Sequence, residues 1–163
     1  MDRKKYEFTG ETRALSSTTI LHRIRAVIDI PSAGVNAGDI GGWIESDSNL
    51  SHSGNAWVGD DARVSGSAWV SGNARVSGDA WVVGDAHINS NKDFIVIGPI
   101  GSRNGFTTFY KNKDENVCVR CGCFSGTVDE FLAAVQKTHG DNRFGREYRI
   151  AAELAKAHIL EED

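Results

Sequence analysis

Two polar stretches in the last third of the chain carry residue types that can bind an anion. In GSRNG, glycines flank Arg103 and Asn104, so backbone amides can form an anion-binding concavity beside a charged side chain. In HGDNRFGREY, further donors and acceptors lie between two expected helices, where a helix N-terminus can hold a phosphate or a carboxylate. These residues are His139, Asp141, Asn142, Arg143, Arg146 and Tyr148. The alternative for this second stretch is a capping loop in which Asp141 or Asn142 satisfies backbone amides.

Three cysteines form the pattern C-x-x-C-x-C, which can supply thiolates to zinc with His139 as a fourth ligand. In a regular strand, however, Cys121 and Cys123 share one face and Cys118 lies on the other. No second C-x-x-C exists in the sequence. We therefore interpret the cysteines as half-buried strand residues, and we expect no metal and no cofactor.

The region from Gly54 to Asn89 has a period of six residues, which predicts the frame that positions these sites. Alanine recurs at 56, 62, 68, 74, 80 and 86, and valine or isoleucine recurs at 58, 64, 70, 76, 82 and 88. A hexad with one small and one aliphatic position fits a flat strand and a tight corner, stacked turn upon turn around a narrow core.

This pattern resembles the hexapeptide-repeat family of left-handed parallel β-helices, in which an aliphatic residue is followed four positions later by a small one, as Val58 is by Ala62. The run GDIGGWIESDSNLSHSGNAWV also resembles the opening of small hexapeptide-repeat proteins of bacteriophages and prophages. The segment from Ile97 to Ile159, with GSRNG, GCFSGT, KTHGDN and REY, resembles a module of phage proteins. The expected fold is mainly β: a short left-handed parallel β-helix with N-terminal strands and a small α/β C-terminal cap.

We expect three segments: N-terminal strands and a lead-in over 1–41, the β-helix over 42–90 and an α/β module over 91–163. Alternation from Lys4 to Ile30 predicts two strands, with one face formed by Ile20, Ile24, Ala26, Ile28 and Ile30. Ile44 and Leu50 continue the hexads backwards, and their size predicts a wider or capped first turn. The last segment predicts a strand over 94–100, a hairpin of 106–110 with 117–123, and helices over 127–140 and 145–160. Thr127 and Glu130 predict a capping box at the first helix. An apolar stripe is predicted on the second helix and comprises Tyr148, Ala151, Ala152, Ala155 and Ile159.

The position before each aliphatic residue of the repeat points outward. It holds Trp57, Arg63, Trp69, Arg75, Trp81 and His87. Because one turn contains 18 residues, Trp57 should lie beside Arg75, Arg63 beside Trp81 and Trp69 beside His87. We interpret the tryptophans and arginines as a subunit interface, because these residue types dominate interface hot spots. A solvent-facing ladder and a platform for a planar ligand are the alternatives.

Catalysis has little support in the sequence, which contains no G-x-S-x-G and no Ser or Cys paired with a base. The acyltransferases that the repeat resembles would need a histidine projecting from a turn. His52 occupies an aliphatic position of the repeat, so His87 is the remaining candidate. The short repeat also matches those enzymes poorly.

The net charge and the distribution of apolar residues restrict the partners and the cellular location that we expect. A formal charge of -4 over 163 residues argues against general nucleic-acid binding, which needs clustered Lys and Arg. The chain has no apolar run of about 18 residues and no signal-like start, so we expect no membrane contact and a cytoplasmic location.

The expected function is binding without catalysis, by a homo-oligomer for which the resemblance favours a trimer. In a phage setting, the resemblance makes inhibition of host defence the leading hypothesis. The protein would sequester an anionic, nucleotide-like ligand or block a host defence protein. The alternatives are an acyl or nucleotide-sugar transferase of the hexapeptide class and a structural or virion component.

Overall fold

A computed structural model describes residues 3–162, which form a mainly β protein with two helices near the C-terminus. The ends of the first and last expected segments, Met1, Asp2 and Asp163, lie outside the described residues. The chain divides into two compact units, Met1–Asn91 and Lys92–Asp163. The N-terminal strands and the hexads fall in the first unit.

The first unit opens with an antiparallel hairpin of β1 (Tyr6–Ala14) and β2 (Ile20–Ala26), and β3 (Ile40–Ile44) pairs antiparallel with β2. The two predicted strands are confirmed, but one part of the face assignment is wrong. Leu21 is fully buried whereas Ile20 is 52% exposed. Register shifts in both pairings of β2, between His22 and Arg25, reverse the alternation along this strand.

Six two-residue strands follow at the predicted hexad positions. They are β4 (Trp57–Val58), β5 (Arg63–Val64), β6 (Trp69–Val70), β7 (Arg75–Val76), β8 (Trp81–Val82) and β9 (His87–Ile88). Strands 18 residues apart pair in parallel: β4 with β7, β5 with β8, and β6 with β9. Every repeated alanine and aliphatic residue is at most 1% exposed, which confirms the predicted hexad core. We call residues 43–89 the hexad stack.

The first turn of the hexad stack, residues 43–62, is wider than the others. Trp43 pairs in parallel with Arg63, and Leu50 with Val70, at an offset of 20 residues. The prediction of a wider first turn is therefore confirmed, but Ile44 and Leu50 lie beside Val64 and Val70 and occupy the aliphatic row, not the alanine row to which a count in sixes assigns them. Fully buried Asn49 closes this turn: its Oδ1 accepts from the amides of Glu45 and Ser46, and its Nδ2 donates to the carbonyls of Gly66 and Ala68. One side chain thus satisfies three backbone groups and shares a fourth, because the Glu45 amide also donates to the Val64 carbonyl at 3.0 Å.

The second unit contains an antiparallel sheet with two helices packed against it. Its strands, in sheet order, are β10 (Phe94–Ile100), β11 (Gly105–Lys111), β12 (Val117–Cys121) and β13 (Phe124–Thr127). The first three strands agree with the prediction. The fourth was not predicted: the expected strand over 117–123 ends at Cys121, and Gly122 and Cys123 form the turn that leads into β13.

The helices are α1 (Val128–His139) and α2 (Arg143–Leu160). The predicted capping box of α1 is confirmed: Thr127 Oγ1 accepts from the Glu130 amide, and Glu130 Oε1 accepts from the Thr127 amide. Helix α2 starts two residues earlier than predicted. Its predicted apolar stripe is buried in the core of the unit and comprises Tyr148, Ala151, Ala152, Ala155 and Ile159. Neither helix has the length and apolar content that a membrane span requires.

Candidate functional site

Tyr148 brings the two predicted anion-binding stretches together in the second unit. Its hydroxyl packs against Gly101 at the start of GSRNG so closely that a Cβ at this glycine would overlap it. The Gly101 amide donates to Glu147 Oε1 at 2.9 Å. This amide is therefore not available to the predicted anion-binding concavity, because a carboxylate of the same chain already binds it.

Asn104 and Arg103 remain exposed at the tip of the GSRNG turn. Asn104 adopts a left-handed conformation with φ 48, and its amide donates to the Gly101 carbonyl at 3.2 Å. The amides of Gly101 and Asn104 in this turn are therefore both paired within the chain.

The second polar stretch divides into capping residues and exposed cations. Asn142 Oδ1 accepts from the Gly145 amide at 3.0 Å and caps α2, and Asp141 lies 3.6 Å from the guanidinium of Arg149. The capping alternative is thus correct for Asn142, whereas Asp141 pairs with a side chain and caps no amide. Arg149, which the sequence analysis overlooked, also donates to the Gly140 carbonyl at 3.0 Å and to Gln136. Arg143 and Arg146 keep exposed side chains.

A cavity of about 150 Å³ opens between the two helices and strands β12 and β13. Its walls include Cys121, Phe124, Phe131, Thr138, His139 and Tyr148. The rings of Phe124 and Tyr148 each lie 5.5 Å from that of Phe131, and His139 lies 5.8 Å from Tyr148. Phe144 contacts His139 and carries the Arg143 guanidinium over its face. The cavity therefore has aromatic walls and a cation near its histidine side.

Burial is the main cause that raises the pKa of Tyr148 to about 12. A hydrogen bond to Cys121 and the charge of Glu147 act in the same direction, whereas Arg103 opposes them. The hydroxyl is thus protonated at neutral pH. Cys121 Sγ also accepts from Thr107 Oγ1 at 3.3 Å, so the polar end of the cavity is ordered.

The three cysteines occupy three different environments. Cys118 is buried, Cys121 is half-buried beside the cavity, and Cys123 is exposed. Within residues 3–162, no group of three or more His, Cys, Asp or Glu side chains is arranged to hold a metal ion.

The outward residues of the hexads pair in the predicted register: Trp57 with Arg75, Arg63 with Trp81, and Trp69 with His87. The Arg63 guanidinium lies 4.2 Å from the centre of the Trp81 ring. His87, the candidate base of the transferase alternative, is exposed.

Trp57 is only 3% exposed, so its assignment to an exposed interface is wrong. Its ring lies against Gly41 of β3, where a Cβ would come within 2.6 Å of Cζ2. A glycine in β3 thus makes room for the tryptophan. Of the other proposed interface residues, Arg75 is exposed, and Arg63, Trp69 and Trp81 are half-buried.

Trp43 extends the row of outward residues and was overlooked. It pairs with Arg63 on one side and Arg23 on the other, and the guanidinium groups of Arg13 and Arg23 lie 4.4 Å and 5.0 Å from its ring. The signal was present in the sequence, because Trp43 and Ile44 repeat the aromatic-aliphatic pair of Trp57 and Val58.

A polar cluster that the sequence analysis did not assemble closes the first turn of the hexad stack. The His52 ring stacks on Tyr6 with centroids 4.1 Å apart. His52 Nδ1 accepts from the Lys5 amide at 3.1 Å, and Nε2 therefore carries the proton that is donated to Asp47 Oδ1 at 2.9 Å. Tyr6 donates to the same oxygen at 2.8 Å. Both ring nitrogens are engaged, so His52 is a structural residue in this arrangement.

The ammonium of Lys5 is buried in the same region and donates to the Ala56 carbonyl at 2.5 Å. Burial lowers the pKa of Lys5 to about 8. Burial, followed by the hydrogen bond to Asp47, raises the pKa of Tyr6 above its usual value. Burial of Asp47 is outweighed by its hydrogen bonds from His52 and Tyr6, which hold its pKa below the usual value.

Together these features define a mainly β protein in which a parallel six-residue repeat is followed by an α/β unit with an aromatic cavity. Comparison of the chain with protein-family models and with curated proteins finds no match.

Proposed function

We propose that this chain is a non-catalytic binding protein whose second unit holds a planar, anionic ligand of the nucleotide type. The hexads would form a short left-handed parallel β-helix that acts as a rigid scaffold. The observation on which the proposal depends is the aromatic cavity beside Tyr148, with cationic side chains nearby. Ligand sites typically combine an apolar, aromatic lining with a few polar groups that fix orientation.

The size of the cavity suits one aromatic ring system. A cavity of about 150 Å³ compares with one that holds a benzene molecule. A nucleobase would stack against Phe124 and Phe131, since aromatic rings favour offset and edge-to-face contacts at these separations. The protonated hydroxyl of Tyr148 and the ring of His139 would supply polar contacts to its edge.

Charged groups of the ligand would remain outside the cavity. Arg103 lies near enough to Tyr148 to influence its pKa, and Arg143 stacks beside the histidine wall. Arginine side chains favour phosphate because they present paired donors in a fixed plane. Since Glu147 binds the Gly101 amide, the anion would be held by side chains and not by the backbone concavity expected from the sequence.

The proposal also includes the oligomeric state of the protein and the cell in which it acts. The exposed parts of Arg63, Arg75 and Trp81 support a homo-oligomer, for which a trimer is favoured, with buried Trp57 and the Trp69 side of the stack excluded from the interface. By its resemblance to phage proteins, the chain would act in the host cytoplasm. It would counter host defence by sequestering a nucleotide-like signal, or by blocking a host effector.

Native mass spectrometry of protein purified from cells tests the proposal by reporting oligomer size and retained small molecules together. Calorimetric titration with nucleoside monophosphates and cyclic dinucleotides should then give saturable binding. Arg103→Ala should weaken it by about 10- to 100-fold, since a hydrogen bond to a charged group contributes about 1.5–3 kcal/mol.

Lys113→Ala is the matched control, because it removes another exposed cation of the same unit. Its affinity for nucleotides should equal that of the wild type. The proposal fails if purified protein carries no nucleotide and none binds at millimolar concentration. Equal losses in both variants would indicate nonspecific charge attraction and would also contradict the site.

A further inference from the structure

A second cleft, of about 520 Å³, lies in the first unit beside the closed first turn of the hexad stack. Its lining includes Lys4, Asp47, Ser51, His52, Ser53 and Trp69. These residues come from the start of the chain, the short 3-10 helix Asp47–Asn49, the loop after it and strand β6. None of them belongs to the nucleotide site proposed above.

Asp47 is held in a fixed orientation at this cleft. Its Oδ1 accepts from Tyr6 at 2.8 Å and from His52 at 2.9 Å, while the side chain as a whole is 69% exposed. The turn that carries Asp47 is fixed by buried Asn49, whose side chain bonds the Glu45 amide and the Gly66 carbonyl. Rigid support of this kind reduces the entropy lost when a ligand binds. The carboxylate therefore offers a preorganised acceptor to the cleft.

The remaining groups restrict the charge of the ligand. Lys4 provides a cation and Asp47 an anion, so a ligand with net charge of either sign meets one repulsive group. Ser51 and Ser53 add hydroxyls that both donate and accept. Half-buried Trp69 contributes an aromatic face, whose negative potential attracts the C–H groups of a ligand. An uncharged molecule with several hydroxyls and one flat C–H face matches all four features.

We propose that this cleft binds a neutral pyranose, with its C–H face on Trp69 and its hydroxyls bonded to Asp47, Lys4 and the two serines. The bound hydroxyls donate to the carboxylate and accept from the ammonium. No bond in the sugar is broken, so the site recognises the sugar and does not transform it. This second site is independent of the nucleotide site in the other unit.

Saturation-transfer NMR with a panel of methyl pyranosides tests the inference, followed by calorimetric titration of any that bind. Trp69→Leu and Lys4→Met each remove one contact and leave the Tyr6, His52 and Asp47 hydrogen bonds in place. Each variant should weaken binding by about tenfold or more, as expected when a main contact is lost. Phe106→Leu is the control, because it removes an exposed aromatic ring that belongs to neither proposed site nor to the proposed interface, and its affinity should be unchanged.

Three results would overturn this inference. These are the absence of binding by every pyranoside at millimolar concentration, equal affinity in wild type and both cleft variants, and preference for sugar phosphates over neutral sugars. Titration of the Trp69→Leu variant with nucleotides distinguishes failure of the sugar site from failure of the nucleotide site. That variant should bind nucleotides as the wild type does, so either site can fail without the other.

Discussion

Gly41→Ala tests the contact that buries Trp57. The added methyl group would lie 2.6 Å from Trp57 Cζ2, 2.7 Å from the Val58 carbonyl oxygen and 2.8 Å from Ile24 Cγ1. Favourable carbon contacts lie near 3.5–4.0 Å, so all three neighbours must move by about 1 Å. The carbonyl belongs to the hexad backbone and cannot rotate away. Overpacking typically lowers the free energy of unfolding by about 1–3 kcal/mol. Because three contacts are too short at once, we expect a loss of about 3 kcal/mol for this variant.

Urea unfolding followed by tryptophan fluorescence measures this loss. All four tryptophans lie between residues 43 and 81, so the signal reports the first unit alone. In a thermal melt, about 3 kcal/mol corresponds to a fall in Tm of about 12–24 °C for a unit of the size of Met1–Asn91. The emission maximum should shift to the red if the Trp57 ring is displaced from its buried position.

Gly59→Ala is the matched control, because the nearest atom to its added methyl would be Trp57 Cδ1 at an ordinary 3.4 Å. Both glycines are buried. We expect the control to unfold within about 1 kcal/mol of the wild type, since a tolerated Gly→Ala change mainly restricts the unfolded chain. Equal midpoints for the two variants would refute the packing of Trp57 against β3.

Two further predictions concern the closed first turn. In the wild type, stability should rise with pH from about 8 to 10.5, because the lowered pKa of Lys5 leaves the unfolded state with more bound protons in that window. Lys5→Met should lose this rise, so a difference in unfolding free energy that is constant with pH would contradict it. Asn49→Ala should destabilise the first unit by about 3 kcal/mol, since the Ser46 amide and the carbonyls of Gly66 and Ala68 lose their partner. Exposed Asn55→Ala is the control and should change the urea midpoint by about 0.5 kcal/mol or less.

The sequence could predict the hexads in detail because their register follows from arithmetic. A turn of 18 residues places Arg63 beside Trp81, and the structure has this pair. The burial of Trp57 could not be obtained in this way. The period shows only that the side chain points away from the repeat's own core, whereas β3, which covers it, is not part of the regular repeat.

The same limit applies to the first turn and to the candidate sites. Asn49 and Lys5 bond backbone groups at the first turn of the repeat. Each of these contacts occurs at one position only, so a periodic pattern cannot predict it. In the second unit, the sequence predicted Arg103 and Tyr148 as ligand-binding residues of two separate polar stretches. It could not predict that Glu147 binds the Gly101 amide, because this contact joins residues 46 positions apart.

The antiparallel pairing of β2 with β3 has a consequence for aggregation. A parallel stack presents a row of unpaired backbone groups at its end, which can template addition of another molecule and lead to fibres. Here the exposed edge of this sheet becomes β1, which is irregular between Phe8 and Thr12 and carries Glu7, Glu11 and Arg13. Irregular, charged edge strands discourage such addition. The N-terminal hairpin therefore also acts as a barrier to polymerisation at this edge.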